Sequence, residues 1–349
     1  MPRVFKVILF YSLEKSGRLW LPLETLGERK IIELILKQLE RMPKMPIPFG
    51  DDVSAYPLRN GQLLVLKTDM LVGKTDVPAG MSLWQAARKA VIMNVSDFAA
   101  KGVEPKVMLV SLGLPRGLKK KDIKEIGRGL NAGAREYGGY VVGGDTNEAS
   151  DIVISLSLFG IVEKKRVMLR SGAKPGDIVA VTGFFGKTAA GLKILLDGFE
   201  ASQKVRKVLV ESVLMPYARL EEGLVLSQTR VVTASIDSSD GLAWSLHEIA
   251  RASNVGFLIK DPPTAREAER FAKINTLDPL ELTFYGGEEY ELVITVKPEL
   301  WEKAKKAVEK VDGKLLPVGR VTAEKQVLLE INDEKRVIEP RGWEHFKRH

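Results

Sequence analysis

A short turn with two aspartates is the first part of this sequence whose residue types and spacing could do chemistry. Asp237 and Asp240 flank two serines between a strand-like run, residues 230–236, and a helix-like run, residues 242–251. Carboxylates at this spacing can point at one hard cation, and the hydroxyls and free N–H groups of a helix start can bind phosphate oxygens. The simpler alternative is that an aspartate only caps the helix.

Further acidic turns are predicted in the rest of the chain, and they strengthen the hypothesis of a metal site. The other members of this acidic set are Asp51, Asp52, Asp69 after Thr68, Asp97, and Asp145 within Gly143-Gly144-Asp145-Thr146. Carboxylates that converge cannot all stay ionised without cations between them. Their oxygens suit Mg²⁺, which keeps several waters and binds substrate phosphates through a few carboxylates.

The remaining reactive residues favour phosphoryl transfer over covalent catalysis. The sequence has no cysteine and three histidines, and His247 falls in the middle of a predicted helix. This inventory favours neither a Ser–His–Asp triad nor a zinc site. Phosphoryl transfer needs mainly metals, alignment and charge neutralisation from the protein. Arg170 is a candidate phosphate clamp, and the alternative is a surface arginine at a hinge.

Alternating strands and helices must position these residues in the first half of the chain. We predict helices at 21–42, 82–102 and 122–137 and strands at 63–67, 107–112, 140–142 and 151–162. On the second helix, Asn94, Asp97 and Lys101 share a face with small residues, which is unusual for a solvent-exposed face. The alternative is that this face is an ordinary helix surface in contact with solvent. The pattern indicates an α+β sheet with helices on one face and the other face free for a partner, so we expect a dimer.

A second domain is predicted to follow residue 165. We divide the chain into an N-terminal extension, residues 1–20, an N-terminal domain, residues 21–165, and a C-terminal αβ domain, residues 166–349. In the second domain, residues 182–188 superficially resemble a P-loop. Only two residues separate Gly183 from Gly186, which is too few for that motif, so we favour a tight turn between a strand and a helix.

Composition sets limits on the class of protein. The chain has 349 residues, a net charge of +8 and 45% hydrophobic residues. Its basic residues form short scattered runs without interleaved aromatics, which favours a solvated surface over a nucleic-acid interface. No run reaches the roughly 20 apolar residues of a membrane span. We therefore expect a cytoplasmic protein that binds neither nucleic acid nor membrane.

Seven motifs, taken in order, resemble those of the thiamine-monophosphate kinase family, in the aminoimidazole ribonucleotide synthetase-like, or PurM-like, superfamily. They are GDD from Gly50, TDMLV from Thr68, NVSDFAAKG from Asn94, GGDT from Gly143, RSGAKPGD from Arg170, DSSDGL from Asp237 and GGEEYEL from Gly286. Each motif alone is weak evidence, but seven in order are specific. The resemblance covers nearly the whole chain, from about residue 26 to residue 346.

The resemblance implies ATP-dependent phosphorylation of thiamine monophosphate to thiamine diphosphate, by direct in-line transfer with Mg²⁺. It implies a two-domain PurM-like architecture, in which the N-terminal mixed sheet carries helices on one face, binds ATP and metal, and pairs in a homodimer. The metal ligands that it implies are Asp52, Thr68, Asp69, Asp97, Asp145, Asp237 and Asp240. It further implies ATP contacts from Gly144, Asp145, Arg170 and Ser239, catalytic roles for Asp145, Asp237 and Asp240, and a thiamine site with Glu288 and Trp343.

One position departs from the family pattern. Family members often have a substrate-contacting histidine shortly after the Thr-Asp motif, and Asp76 stands at that position here, so it is the candidate substrate residue there. Two alternatives remain, another ATP-using enzyme of the superfamily and a non-catalytic nucleotide-binding protein. The missing cysteine disfavours a selenophosphate synthetase and a hydrogenase-maturation enzyme, and the motif that begins at Gly286 favours the thiamine enzyme.

Overall fold

The computed structural model describes residues 23–346 of the chain. The described residues up to 40 and from 344 onward form one compact unit, and residues 41–343 form another. The predicted extension, residues 1–20, lies outside the described residues. Among the described residues, no helix combines the length and the apolar character needed to cross a membrane.

The first helix, α1 (Leu23–Leu36), is shorter than the predicted span of 21–42. Gly27 interrupts it with φ 69° and ψ 162°, which is outside the helical region. A positive φ is easily adopted by glycine because it has no Cβ. The apolar residues that gave this segment its helical period include Ile32 and Ile35, both of which are exposed.

A five-stranded mixed sheet forms the core of the first half of the larger unit. Its strands are β1 (Ser54–Pro57), β2 (Gln62–Val72), β3 (Val107–Leu114), β4 (Tyr140–Glu148) and β5 (Val153–Glu163), in the order β1-β2-β5-β3-β4. Only β3 and β4 pair in parallel. The helices of this half are α2 (Gly73–Asp76), α3 (Leu83–Lys101) and α4 (Lys120–Glu136). On β5, Ile154, Leu156 and Leu158 are buried while the residues between them are half-buried, which confirms the predicted alternation.

Two of the predicted acidic turns are parts of strands. Thr68 and Asp69 lie in the middle of β2, and Gly143-Gly144-Asp145-Thr146 lies within β4. The prediction that these residues stand in turns was therefore wrong. Glycine and aspartate are frequent in turns, but Gly144 has a different reason to be glycine here. A Cβ on Gly144 would lie 1.8 Å from the Val110 carbonyl oxygen, so the pairing of β3 with β4 requires a residue without a side chain.

A seven-stranded mixed sheet forms the core of the second half. Its strands are β6 (Ile178–Val181), β7 (Val232–Asp237), β8 (Gly256–Ile259), β9 (Leu292–Val296), β10 (Leu316–Thr322), β11 (Val327–Ile331) and β12 (Glu334–Val337), in the order β12-β11-β8-β10-β6-β9-β7. Its helices are α5 (Lys187–Leu196), α6 (Gln203–Leu214), α7 (Leu220–Thr229), α8 (Leu242–Ser253), α9 (Arg266–Ile274), α10 (Pro279–Tyr285) and α11 (Trp301–Glu309). Strands β8 and β9 are buried along their whole length, as expected for nearly continuous apolar runs.

Helix α3 connects the two halves and carries the polar stripe noted in the sequence. It begins with a capping box in which the Ser82 side chain accepts from the Gln85 N–H and the Gln85 side chain accepts from the Ser82 N–H. It packs against β2, β5 and α4 in the first half and against α7 and β7 in the second half. Asn94, Asp97 and Lys101 are all buried, so this face is not a solvent-exposed helix surface.

Candidate active site

Three aspartates from distant parts of the sequence meet at the junction of the two sheets. Asp52 precedes β1, Asp97 lies on α3 and Asp237 ends β7. One carboxylate oxygen of each lies within 4.8 Å of the others, and all three side chains are buried. We call this group the aspartate cluster. Three carboxylate oxygens gathered in this way could hold one hard cation, so the residues fit the metal that the sequence predicts.

A buried lysine and a half-buried arginine hold Asp52 in its ionised form. The Lys101 ammonium lies 2.6 Å from Asp51 and 2.7 Å from Asp52, and it donates to the Ser235 carbonyl at 2.8 Å. Arg170 donates from Nε to Asp52 at 2.7 Å and from Nη1 to the Gly50 carbonyl at 2.9 Å. Burial alone would raise the pKa of Asp52, but Lys101 and Arg170 outweigh burial and the pKa lies below its ordinary value.

The other two aspartates of the cluster have too little positive charge around them to offset the effect of burial on their pKa values. Burial raises the pKa of Asp97 well above its ordinary value, although the Lys67 ammonium lies 2.7 Å away. Burial and the nearby Asp52 raise the pKa of Asp237 to about 6, while a hydrogen bond from the Ser96 hydroxyl at 2.7 Å acts in the opposite direction. Both carboxyls would be ionised more readily if a cation joined them, which is a second reason why the cluster fits a metal.

The predicted ligands on the first sheet divide between its two faces. Asp69 lies on the inner face, 3.9 Å from the Lys67 ammonium that also contacts Asp97. The Thr68 hydroxyl lies on the outer face, where it donates to the Leu156 carbonyl at 2.9 Å. The strand register places Asp145 beside Ser111 on β3. Asp145 is exposed on the edge strand β4, as is Gly144, and it is not part of the aspartate cluster.

Backbone hydrogen bonds join the turn that contains Asp237 and Asp240 to two other segments. Glu288 N–H donates to the Ser239 carbonyl at 2.6 Å, Tyr290 N–H donates to the Ser238 carbonyl at 2.9 Å, and Trp343 N–H donates to the Asp240 carbonyl at 3.0 Å. Helix α8 begins after Gly241, at φ 109°, and has no side-chain cap. The residue at the N-cap position is therefore a glycine and not an aspartate.

The three predicted substrate residues, Asp76, Glu288 and Trp343, line one cavity of about 190 Å³. Its other walls include Lys89 and the apolar side chains Leu192 and Leu196. The Asp76 carboxylate accepts a hydrogen bond from the Val72 N–H at 2.7 Å, so it stabilises the turn at the end of β2. Glu288 forms an ion pair with Lys89. We call this space the Trp343 cavity.

The P-loop-like segment is a tight turn, as predicted, and its helix start is occupied by a carboxylate. Gly186 precedes α5 with φ 93°, and Glu289 accepts from the Thr188 N–H at 3.0 Å. Burial raises the pKa of Glu289 to about 7. A protein carboxylate thus takes the position at which a P-loop would bind phosphate.

Sequence reasoning missed the lysines that support the site. Lys67, Lys89 and Lys101 contact Asp97, Glu288 and the Asp51–Asp52 pair, respectively. Lys101 was noted only as a member of the α3 stripe. A usable signal was the presence of Lys89 and Lys101 on a helix otherwise rich in alanine and aliphatic residues, since a charge is buried only when it has a partner.

Comparisons with known proteins agree with this geometry. The model of the AIR synthase related protein, N-terminal domain, matches residues 50–162, and that of its C-terminal domain matches residues 174–332. A thiamine-monophosphate kinase of Pyrococcus abyssi is 38% identical over 324 residues, which are 92% of this chain and 96% of that protein. The same enzyme of Nitrosopumilus maritimus is 35% identical over 322 residues, which are 92% of this chain and 99% of that protein.

A solved structure described as AaThiL complexed with AMPPCP and TMP matches this fold with a TM-score of 0.81 and 30% identity. The match covers 94% of this chain and 100% of that chain. These results confirm the predicted α+β fold class with two domains of the AIR synthase related type. The chain belongs to the AIR synthase related family and, within it, to the thiamine-monophosphate kinases.

Proposed function

We propose that this protein transfers the γ-phosphoryl group of ATP to the phosphate of thiamine monophosphate, giving thiamine diphosphate and ADP. The observation that carries the proposal is the direct backbone connection between the aspartate cluster and the Trp343 cavity. The turn that begins at Asp237 is hydrogen-bonded to the segments that carry Glu288 and Trp343. The relative with bound AMPPCP and TMP supports the same pair of substrates.

The aspartate cluster and its neighbours form the proposed nucleotide end of the site. We assign Mg²⁺ binding to Asp52, Asp97 and Asp237, and we keep Thr68, Asp69, Asp145 and Asp240 as further proposed ligands. Bound Mg²⁺ would neutralise charge on the phosphates as they approach each other. Gly144, Asp145, Arg170 and Ser239 stay proposed ATP contacts. Arg170 also orients the Asp52 carboxylate, because its Nε donates to that carboxylate at 2.7 Å.

The Trp343 cavity is the proposed thiamine end of the site. Thiamine combines a cationic thiazolium with an aminopyrimidine ring. An indole face attracts a cation, and a carboxylate accepts hydrogen bonds from an amino group. Trp343, Glu288 and the apolar side chains of Leu192 and Leu196 supply these features in one cavity. We keep Asp76 as a proposed substrate residue, because it lines the cavity, although its carboxylate accepts a hydrogen bond from the Val72 N–H.

Direct in-line transfer is the proposed mechanism. The acceptor is already a phosphate oxygen, so the protein needs to align two phosphates and balance their charge. We assign catalytic roles in this step to Asp145, Asp237 and Asp240. A phosphoenzyme would need a nucleophile, and the sequence has no cysteine. His247 contacts the Ile338 carbonyl at 2.7 Å through its Nε2 atom, which gives it a structural role.

A homodimer that pairs through the first sheet is also part of the proposal. The outer face of that sheet exposes a group of apolar side chains, namely Met70, Val107, Leu109, Tyr140 and Ile161. Exposed apolar groups of this kind commonly mark protein interfaces. Strand β4 is an edge strand and is exposed along its whole length. Pairing of two such faces would bury both features.

Two further assignments accompany the function. We propose a cytoplasmic location, because the reaction uses ATP. We also propose a domain boundary near residue 165, with N-terminal residues 21–165 and C-terminal residues 166–349. The short 3₁₀ turn Lys164–Arg166 supports it, because it follows the last strand of the first sheet and precedes the first strand of the second.

A substitution at Asp240 tests the proposed site. Purified wild-type protein, Asp240→Asn and the matched control Asp312→Asn, which changes an exposed aspartate, would be given ATP, Mg²⁺ and thiamine monophosphate. We expect the control to keep the wild-type rate and Asp240→Asn to lose about 100-fold or more in turnover while it unfolds at the wild-type temperature. Normal turnover in Asp240→Asn would remove this residue from the catalytic set.

A substrate panel tests the reaction itself. Thiamine monophosphate, free thiamine and an aminoimidazole-type ribonucleotide precursor would each be incubated with ATP and Mg²⁺, and ADP would be measured. The proposal requires ADP formation with thiamine monophosphate and background rates with the other two compounds. ADP formation with the ribonucleotide alone would identify a different enzyme of the superfamily.

A further inference from the structure

Lys89 is a buried cation on the wall of the Trp343 cavity, and neither the sequence motifs nor the proposed mechanism assigns it a role. It lies on α3 with a side-chain exposure of 1%. Its ammonium contacts the Glu288 carboxylate at Oε1 and donates to the Asp76 backbone carbonyl at 2.9 Å. It therefore contacts two segments that line the cavity, one from each half of the larger unit.

A lysine in this position needs both contacts. Removing an ammonium group from water is expensive, and an opposite charge and hydrogen-bond acceptors at close range must compensate for the lost hydration. Here the compensation comes from one carboxylate oxygen and one carbonyl oxygen. An aliphatic residue would fill the same space without that cost, so packing alone does not account for lysine.

The Glu288 segment is held in an unusual conformation. Glu288 has φ 64° and Tyr290 has φ 54°, in the left-handed region that residues with side chains seldom adopt. The Glu288 N–H donates to the Ser239 carbonyl at 2.6 Å, which fixes the backbone, and Lys89 fixes the side chain. The orientation of the carboxylate is therefore fixed both through the backbone of Glu288 and through its contact with Lys89.

We propose that Lys89 is a positioning residue that orients the Glu288 carboxylate to recognise an exocyclic amino group on the substrate. Lys89 engages Oε1, which leaves Oε2 to accept a hydrogen bond from the ligand. The inference rests on the proposed function, because the aminopyrimidine of thiamine monophosphate supplies that amino group. Lys89 acts through Glu288, so its effect falls on substrate selectivity.

The test compares the binding of two ligands by calorimetry. Thiamine monophosphate carries the amino group, and its 4-oxo analogue, oxythiamine monophosphate, carries an oxo group at the same position. We expect wild-type protein to prefer the amino compound about tenfold or more, because a hydrogen bond to a carboxylate contributes at least that much. Lys89→Met should reduce this preference to about threefold or less, since Glu288 loses its fixed orientation.

Steady-state kinetics and a double variant separate positioning from a general structural effect. In Lys89→Met the KM for thiamine monophosphate should rise about tenfold while the KM for ATP stays unchanged. The double variant, Lys89→Met with Glu288→Gln, should prefer the amino compound over the oxo compound no less than Glu288→Gln alone does. Both substitutions disable the same interaction, so their effects should not add. Lys124→Met removes an exposed lysine from α4 and should behave as the wild type.

The outcomes distinguish this inference from the proposed function. If wild-type protein binds neither ligand, both the proposed function and the role of Lys89 are contradicted. Wild-type protein that prefers the amino compound while Lys89→Met keeps the full preference would overturn only the role of Lys89. If Lys89→Met does not fold, Glu288→Gln alone decides, because undiminished preference for the amino compound in that variant would contradict the role of the carboxylate that Lys89 orients.

Discussion

At the scale of single residues, the charge balance of the aspartate cluster is its main property. Asp52 is neutralised by Lys101 and Arg170, whereas the pKa values of Asp97 and Asp237 are raised because burial dominates around them. Protons and metal ions therefore compete for the last two carboxyls. Lys67 pairs with Asp97, and Lys67 and Arg170 both favour the ionised form of Asp237, but burial outweighs them, so a further cation would stabilise both carboxylates.

Metal binding should consequently depend on pH in a range set by Asp237. Its pKa is raised to about 6, so the carboxyl is protonated below that pH and ionised above it. We expect the affinity for Mg²⁺, titrated with a non-hydrolysable ATP analogue, to fall about tenfold or more per pH unit below 6, because the raised pKa of Asp97 lets a second proton compete with the metal. Asp237→Asn should show a weaker dependence, and Asp312→Asn should keep the wild-type profile. Equal wild-type affinities at pH 5 and pH 8 would contradict the account.

The sequence predicts these acidic residues better than it predicts their partners. Asp52, Asp97 and Asp237 could be selected because carboxylates in similar surroundings recur and match a family pattern. Lys67 could not be distinguished from the many surface lysines of a basic chain, and Lys89 and Lys101 were marked only by their position on a helix rich in alanine and aliphatic residues. Which lysine is buried depends on the packing of α3 between two sheets, and this packing involves residues far apart in sequence.

At the scale of elements, α3 is the part of the fold that positions the site. It carries Lys89, Asp97 and Lys101, and it packs against both halves of the larger unit. Its contact with α4 is close, because a Cβ on Gly129 would lie 2.2 Å from the Trp84 carbonyl oxygen. Gly129 is therefore required by the approach of two helix backbones.

Two glycines on α4 offer a matched test of this close packing. Gly129→Ala should destabilise the protein by about 1–3 kcal/mol, because the added methyl group meets backbone atoms that cannot move aside. Gly127→Ala should stabilise it by about 0.5–1 kcal/mol, since Gly127 faces open space and alanine is the better helix former. Urea unfolding of both variants measures the difference. Similar stabilities for the two variants would contradict the close approach of α3 and α4.

The same reasoning explains where the prediction of elements failed. The helices predicted at 82–102 and 122–137 and the long strand β5 have clear periodicity and were placed correctly to within two residues, whereas α1 ends at Leu36, well before the predicted residue 42. The segments around Asp69 and Asp145 were interpreted as turns because their residues are typical of turns. They are strands because pairing with β5 and β3 holds them extended, and such pairing partners cannot be read from local sequence.

At the scale of the whole molecule, the exposed apolar face of the first sheet is the feature that a single chain leaves unexplained. Leu109 lies on that face with an exposure of 42%, and Ile274, at the end of α9, has an exposure of 56%. We expect Leu109→Lys to convert a dimer into a monomer, because a charge would be buried at the interface. Ile274→Lys should leave the dimer intact. Sedimentation velocity distinguishes these outcomes, and a wild-type monomer at micromolar concentration would contradict the proposed dimer.

Formation of thiamine diphosphate from ATP and thiamine monophosphate can be followed by ³¹P NMR, which resolves the phosphorus atoms of substrate and product. Wild-type protein would be mixed with ATP, Mg²⁺ and thiamine monophosphate, and the phosphorus signals followed over time. We expect the single resonance of thiamine monophosphate to be replaced by the two coupled resonances of thiamine diphosphate, with formation of an equal amount of ADP. Release of free phosphate with an unchanged thiamine monophosphate signal, or no reaction at all, would contradict the proposed function.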